Sequence, residues 1–316
     1  MSRRGILCVA LFAWAATTAQ AQAPQPGELA IWPVREGIYM IVGAGGNTTV
    51  QVGDDGVLVV DTKLGTAADA LLAAIREISD KPIRYVVNTH WHADHIGGNE
   101  LIAESGSTIA GGNVSGAIAD AGEGAAVIAH ENVLVRMSGG ETPPPFAAWP
   151  TVTLFMPQKD LYFNGEPIEI LHQPAAHTDG DSLVFFRRSD VVSTGDVFTT
   201  TGYPVIRSGD GGGIDGVIAA LNRIIEITIP KEKQEGGTLV IPGHGRLCDE
   251  ADVVEYRDMV TIIRDRIRSM IEMGMTLRQV QAAKPTADYD GRYGATTGLW
   301  TTEQFVAAAY ESLNND

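Results

Sequence analysis

The stretch Thr89-His90-Trp91-His92-Ala93-Asp94-His95 gathers three histidines and an aspartate within six residues, in a chain that has seven histidines altogether. It follows Ile83–Val87, a short apolar run that reads as a buried strand, so the cluster is expected on a loop at that strand's end. Neutral imidazole and carboxylate are zinc-type ligands. Alternate residues of an extended segment point to the same side. His90 and His92 can therefore grip one ion together, while Asp94 and His95, further round the turn, face a second. A scatter of surface histidines would not produce this spacing directly after a strand.

Three further acid or histidine motifs follow downstream. His177 lies in AAHTDGDS, between a strand and a turn. Asp196 lies in STGDVF after the β-branched run Val191 to Thr194, and His244 lies in IPGHG after Leu239 to Ile241. Each follows a candidate strand, so all can converge at one edge of the sheets. Taken singly, a TGD or a PGHG says little; four motifs in this order say much more. The set resembles the HxHxDH…H…D…H signature of the metallo-β-lactamase superfamily, and the likeness runs over essentially all of the chain after the N-terminal signal. Within it, the pattern is most similar to an exported zinc-hydrolase group near the β-lactamases and glyoxalase II.

That resemblance implies an α/β fold, a four-layer αββα sandwich forming one domain over residues 24–316, with two Zn(2+) per chain. It implies that His90, His92 and His177 hold the first metal, that Asp94, His95 and His244 hold the second, and that Asp196 bridges them. A hydroxide between the ions would attack a carbonyl of a small ester, thioester, lactone or lactam, with Asp94 as the catalytic residue that orients it and carries a proton. Asp61, which ends the buried run in VLVVDTK, is where the family often sets an acid behind the histidine loop, and metal-bound histidines usually give their second N–H to such a group.

The rest of the chain reads as alternating strands and helices. Strands are expected at Gly37–Val42, Thr48–Val52, Val57–Val60, Thr151–Phe155, Glu169–Leu171, Ser182–Phe186, Val191–Thr194 and Thr238–Ile241, and helices at Thr66–Ser79, Ile214–Ile225 and Thr301–Leu313. Val253, Tyr256, Val260, Ile263, Ile267 and Met270 recur at spacings of three and four, which suits a helix packed on a sheet better than a coiled coil of only about three heptads. The proline-rich segment Gly139–Pro150 is expected to link the two halves over the surface. Gly43–Asn47 is a glycine-rich turn without the phosphate-loop pattern, expected beside the mouth of the site. Trp91, Trp149 and Tyr203 are candidate pocket walls. His130, in an apparently helical stretch, and His172, at a strand end, lack motif context and read as structural or surface residues.

Residues 1–23 are set apart. Arg3 and Arg4 precede the apolar run Gly5–Ala16, and Ala19-Gln20-Ala21 and Ala21-Gln22-Ala23 fit a cleavage site, so a signal peptide and a periplasmic or secreted protein are expected. Cleavage after Ala23 would leave 21 basic against 39 acidic residues, a net charge of −18. Such a surface repels nucleic acid and anionic lipid, and no later run is long enough to span a membrane. The partner expected is a small-molecule substrate. Cys248 would be the single cysteine left, so no intrachain disulfide is expected; it stands four residues past His244, off the ligand pattern.

The ligand set narrows the chemistry. One β-lactamase subclass has a cysteine where Asp196 stands here; an aspartate in a GD turn is similar instead to the glyoxalase II, lactonase and general hydrolase branches. Those often read HTPGHS after the third histidine, whereas this chain reads HTDGDS, and Asp179 and Asp181 are expected to add acid beside the metals. Two alternatives remain alongside the zinc hydrolase: a β-lactamase proper, supported by export, and a mononuclear iron oxidoreductase such as a persulfide dioxygenase, which would not need the second set of Asp94, His95 and His244.

Overall fold

The structure, a computed structural model, describes residues 29–108, 124–140 and 142–314. The segment read as an export signal lies outside the described residues. Strands β1 (Ala30–Arg35), β2 (Ile38–Val42), β3 (Thr48–Gly53), β4 (Gly56–Val60), β5 (Ile83–Val87), β6 (Ala126–His130) and β7 (Val152–Leu154) lie side by side in that order in one sheet. The first four form an antiparallel meander, and β4 to β7 run parallel. A second sheet contains β8 (Gln158–Phe163), β9 (Glu166–Gln173), β10 (Asp181–Phe186), β11 (Val191–Ser193), β12 (Leu239–Ile241) and β13 (Cys248–Asp249), antiparallel except for the β11–β12 pair. The helices are α1 (Ala68–Ile78), α2 (Ala93–Ile96), α3 (Asn99–Glu104), α4 (Glu131–Gly139), α5 (Ile214–Ile227), α6 (Glu250–Glu272), α7 (Leu277–Ala283), α8 (Asp290–Tyr293) and α9 (Thr302–Asn314).

Side-chain alternation builds the layers. On β4, Leu58 and Val60 face the other sheet, where they meet Ile168, Ile170, Val184 and Phe186. Their neighbours Val57 and Val59 face the opposite way, onto Leu71 and Ile75 of α1. On β10, Leu183 and Phe185 likewise turn outward to Val217 and Leu221 of α5 and Val260 of α6. The order across the molecule is therefore helix, sheet, sheet, helix, a mixed α/β sandwich. Both faces of each central strand are buried, which is why β4 is apolar throughout and β10 is apolar from Leu183 to Phe186. Each such side chain contributes roughly 1.5–3 kcal/mol on burial, and a one-residue slip would exchange its two faces.

Helix α6 carries the expected stripe. Val253, Tyr256, Val260, Ile263 and Ile267 are buried in the same cluster as α5 and α9, with Met270 packed against it, so the stripe is core and not a coiled-coil seam. The helix starts in a capping box, Asp249 accepting from the Asp252 backbone N–H and Asp252 from that of Asp249.

Several expectations need correction. His130 is not helical: it closes β6, and its Nδ1 accepts from the backbone N–H of Asn132 to cap α4. Ala-Val-Ile-Ala-His is a fully buried parallel strand, too short to tell from a helix by periodicity. Gly139–Pro150 does not carry the chain between the halves, because β7 beyond it still pairs with β6 in the first sheet. The crossing comes later, between Leu154 and Gln158. Strand β1, interrupted by Pro33, is an edge strand whose alternation is too weak to register in the sequence. Among the described residues no helix is long and apolar enough to cross a membrane.

Candidate metal centre

All the chemistry-bearing loops leave the same edge of the sandwich. Asp61 follows β4, Thr89–His95 follow β5, Asp196 follows β11 and His244 follows β12, each at the carboxyl end of a strand in a parallel pair. His177 stands in the turn between β9 and β10. In α/β sheets this is the end at which ligands collect.

The residues form two groups whose donor atoms lie within 4.8 Å of one another: His90, His92, His177 and Asp196, and Asp94, His95 and His244. Asp196 ties them together. Its Oδ2 lies 3.9 Å from His90 Nε2 and 3.6 Å from His177 Nε2, while its Oδ1 lies 3.2 Å from His95 Nε2 and 3.3 Å from His244 Nε2. His244 Nε2 is also 3.3 Å from Asp94 Oδ2. His177 gives its Nδ1 to the Val205 carbonyl at 2.5 Å, which turns its Nε2 toward His92 Nδ1, 2.8 Å away.

His90 Nε2, His95 Nε2 and Asp196 Oδ1 are buried and have no hydrogen-bond partner. Leaving one such atom unpaired costs about 1–3 kcal/mol, and here three are aimed at one small volume. A divalent cation with nitrogen and oxygen ligands fits this arrangement, and the donor set suits zinc. A further grouping, Asp61 with His90 and His95, lies behind the cluster. Its atoms are already committed: Asp61 Oδ2 meets His95 Nδ1 at 2.7 Å and accepts from Thr89 Oγ1 at 2.6 Å, and Thr89 Oγ1 lies 3.1 Å from His90 Nδ1. The Thr89 backbone N–H lies 2.8 Å from Oδ1, so Asp61 is tied to the histidine loop from behind.

Electrostatics divide the histidines. Burial and the neighbouring His177 push His92 down to about 3, and burial with His95 holds His90 well below the usual range. Both keep bare lone pairs. Burial also disfavours charge on His244, yet the facing carboxylates of Asp196 and Asp94 lift it to about 9. His95 is raised in the same way by Asp196 and Asp61 against the cost of burial. These same partners overcome burial to hold Asp94 and Asp196 below the ordinary carboxylate value.

The glycine turn lies where expected, against the cluster. A Cβ on Gly46 would sit 2.3 Å from His95 Cε1, so only glycine lets the chain cross the face of that ring. Gly46 N–H donates to the Asp94 carbonyl at 3.0 Å, and the turn is held from below by Lys63, whose buried Nζ donates to the carbonyls of Ile41 at 2.9 Å and Gly46 at 2.7 Å.

Other expectations fare differently. Tyr203 lines the cleft before the cluster, but its hydroxyl is spent on Thr286 and Asp290. Trp91 borders a neighbouring groove, and Trp149 packs beside it with its Nε1 donating to Pro144. Asp179 and Asp181 do not add free acid to the site. Arg136 grips Asp179 with two hydrogen bonds, and Asp181 turns inward to accept from Thr178 N and Oγ1. His130 and His172 stack face to face, 3.5 Å between centroids. Cys248 is buried in β13, its thiol pushed up to about 12 by burial, so it is no thiolate.

The sequence reading missed Asp210, Arg136, Lys63 and Thr89. Asp210 Oδ2 lies 3.5 Å from His92 Nε2, and Arg136 Nη1 holds its other oxygen at 3.2 Å. The signal in the sequence was faint: an aspartate set in Ser208-Gly209-Asp210-Gly211-Gly212-Gly213. Those glycines permit the approach, for a Cβ on Gly212 would lie 2.3 Å from the His177 carbonyl.

Comparison with known proteins agrees with this geometry. The family model "Metallo-beta-lactamase superfamily" matches residues 42–244. A linear primary-alkylsulfatase from Pseudomonas sp. (strain ATCC 19151) is 49% identical over 47 residues, which is 14% of this chain and 8% of that protein. The fold is similar to that of a stereoselective inverting sec-alkylsulfatase from Pseudomonas sp., with a TM-score of 0.63 at 16% identity over 90% of this chain and 50% of the other. It is also similar to a metallo-beta-lactamase from Pontibacter korlensis, with a TM-score of 0.56 at 15% identity over 74% of this chain and 99% of the other. The chain thus spans a small part of the curated alkylsulfatase and half the length of the alkylsulfatase of known structure. With the ligand loops inside the matched segment, the chain belongs to the metallo-beta-lactamase superfamily.

Proposed function

We propose that this protein is a dinuclear zinc hydrolase of a small ester, thioester, lactone or lactam. The observation that carries the reading is the aim of three orphaned buried atoms, His90 Nε2, His95 Nε2 and Asp196 Oδ1, into the space enclosed by seven ligand-type residues. In this reading His90, His92 and His177 would hold one ion and Asp94, His95 and His244 the other, with Asp196, whose two oxygens face the two sets, shared between them. The ions, when bound, supply a water acidic enough to ionise near neutral pH and an electrophile for the substrate oxygen.

The protein's own residues do the rest. Asp94 is a third exposed at its side chain and opens onto the cleft, so it can take the proton of the attacking water and pass it to the leaving group. Asp61 and Asp210 hold the rings of His95 and His92. No serine or cysteine nucleophile is needed, and the buried, protonated Cys248 offers none.

A second reading, hydrolysis of an alkyl sulfate ester, is favoured by the 47-residue stretch 49% identical to the linear primary-alkylsulfatase. A β-lactamase with a cysteine ligand is disfavoured by Asp196, and a mononuclear iron oxygenase by the complete second set. Export to the periplasm or beyond, with removal of residues 1–23, belongs to the same proposal. The test is a panel of chromogenic aryl-ester, thioester, lactone, β-lactam and alkyl sulfate substrates, with activity removed by chelation and restored by Zn²⁺. Asp94→Asn should lower kcat on the best substrate on the order of 10²-fold or more while keeping its metal; near wild-type turnover with full metal loading would contradict the role given to Asp94.

A further inference from the structure

A cleft of about 590 Å³ opens in front of the histidine cluster. Its charged lining residues, apart from the proposed ligands, come down to Arg207. In a chain with 39 acidic and 23 basic residues, an arginine would be expected to find a carboxylate. This one pairs with none among the described residues. Asp210, three residues on, is already held by Arg136 and His92, and Asp179 by Arg136.

Arg207 is exposed, and its backbone is placed by the cluster. Its backbone N–H donates to the His177 carbonyl at 3.0 Å, tying it to a proposed ligand. Its guanidinium lies over the ring of Trp300, 5.9 Å from the centroid. Trp300 is itself fixed by its Nε1 donating to the Pro204 carbonyl at 3.1 Å. A guanidinium lying over an aromatic face without a carboxylate partner keeps its in-plane donors free for a planar or tetrahedral oxyanion.

Beside Arg207 the cleft wall is apolar. Residues 295–302 form a loop closed at its base by Thr302 N–H to the Ala295 carbonyl at 2.8 Å and Ala295 N–H to Thr302 Oγ1 at 3.0 Å. At its tip Leu299 is 96% exposed, and with Trp300, Tyr293 and Leu64 it lines the same cleft. An aliphatic side chain held out at the mouth of a pocket gains only when something apolar covers it.

We propose that Arg207 and the 295–302 loop form a substrate-recognition site for anionic amphiphiles, in which Arg207 binds a sulfate, sulfonate or carboxylate and Leu299 and Trp300 carry the apolar body. The inference rests on the hydrolase reading only for where the cleaved bond lies. The anion is either the reacting group itself, as in a sulfate monoester, or a separate carboxylate beside an ordinary ester.

Binding is tested apart from turnover. The zinc-loaded protein is titrated calorimetrically with octane-1-sulfonate and with 1-octanol. Wild type should prefer the sulfonate, and Arg207→Met should lower the ratio of the two affinities at least tenfold, with Arg207→Lys recovering part of it. Affinity should rise from propane- to octanesulfonate, and Leu299→Ser should flatten that rise. Octyl sulfate, 4-nitrophenyl octanoate and mono-4-nitrophenyl suberate then separate the sources of charge: Arg207-dependent cleavage of octyl sulfate makes the anion the reacting group, and Arg207-dependent preference for the suberate over the octanoate makes it a separate carboxylate. Sulfonate binding that needs Arg207, with neither these esters nor any substrate of the wider panel cleaved, would sink the hydrolase reading and leave the recognition site standing. An unchanged affinity ratio in Arg207→Met, or no sulfonate binding by wild type at millimolar concentration, overturns the proposal even if neutral esters are hydrolysed.

Discussion

Asp210 Oδ2 stands 3.5 Å from Nε2 of His92, on the side of the ring away from the Nδ1 that approaches His177. The carboxylate therefore faces the outer nitrogen of the ring while Nδ1 turns to His177, and Arg136 fixes the carboxylate in turn. Asp61 does the same for His95 from Nδ1, leaving Nε2 inward. Two carboxylates at opposite ends of the site thus set the ring orientation of one proposed ligand in each metal set.

Asp210→Ala should weaken zinc binding about 10- to 100-fold at the position held by His92. Asp210 is partly exposed, so the fold should survive the change. Competition with a chromophoric chelator reads both affinities. The account predicts loss confined to one of two sites, and equal weakening of both would contradict it.

Gly46→Ala places a methyl group within 2.3 Å of a fully buried His95 ring. Neither side has room to give, because the ring is tied to Asp61 and the turn to Lys63. Overpacking of this kind costs about 1–3 kcal/mol. The variant should melt several degrees lower in the metal-free form and bind less than two zinc ions. A wild-type melting curve together with wild-type zinc content would show that the turn does not press on His95 as described.

Lys63 carries a pH signature. Burial lowers its pKa from 10.5 to about 7, partly offset by Asp61. Between those values the unfolded chain binds the proton and the folded one does not, so stability from this group rises with pH from about 7 to about 10.5. Lys63→Met should remove that rise, a difference on the order of a few kcal/mol across the window. Urea unfolding of both proteins at several pH values measures it, and parallel curves would mean that Lys63 stays charged when buried.

Much of the site was legible because its ligands follow short strands rich in buried β-branched residues. The Ile83–Val87 and Val191–Thr194 runs announce buried strands, and the polar residues just beyond them must gather at one edge. Asp61 was legible for the same reason. Asp210 and Arg136 were not, since they approach from a glycine-rich turn and an amphipathic helix with no local mark of their destination. Lys63 was equally silent, as nothing in VLVVDTK says that the lysine points into the fold rather than out. The fold was readable where burial is two-sided, as in β4 and β10. It was misread where a short strand abuts a helix, at His130, and where prolines marked a loop but not which sheet followed it. HTDGDS shows the limit of counting charges: Asp179 and Asp181 are near His177 in sequence, yet Arg136 and Thr178 claim them.

The central claim is that the seven residues form one two-ion zinc site. Its most direct test is elemental analysis of the purified protein after dialysis against limiting zinc, with Asp196→Ala alongside. The account predicts close to two equivalents of zinc in wild type and a loss from both positions in the variant, since Asp196 reaches His90 and His177 with one oxygen and His95 and His244 with the other. One tightly bound iron with no second metal, or two full equivalents retained without Asp196, would contradict it.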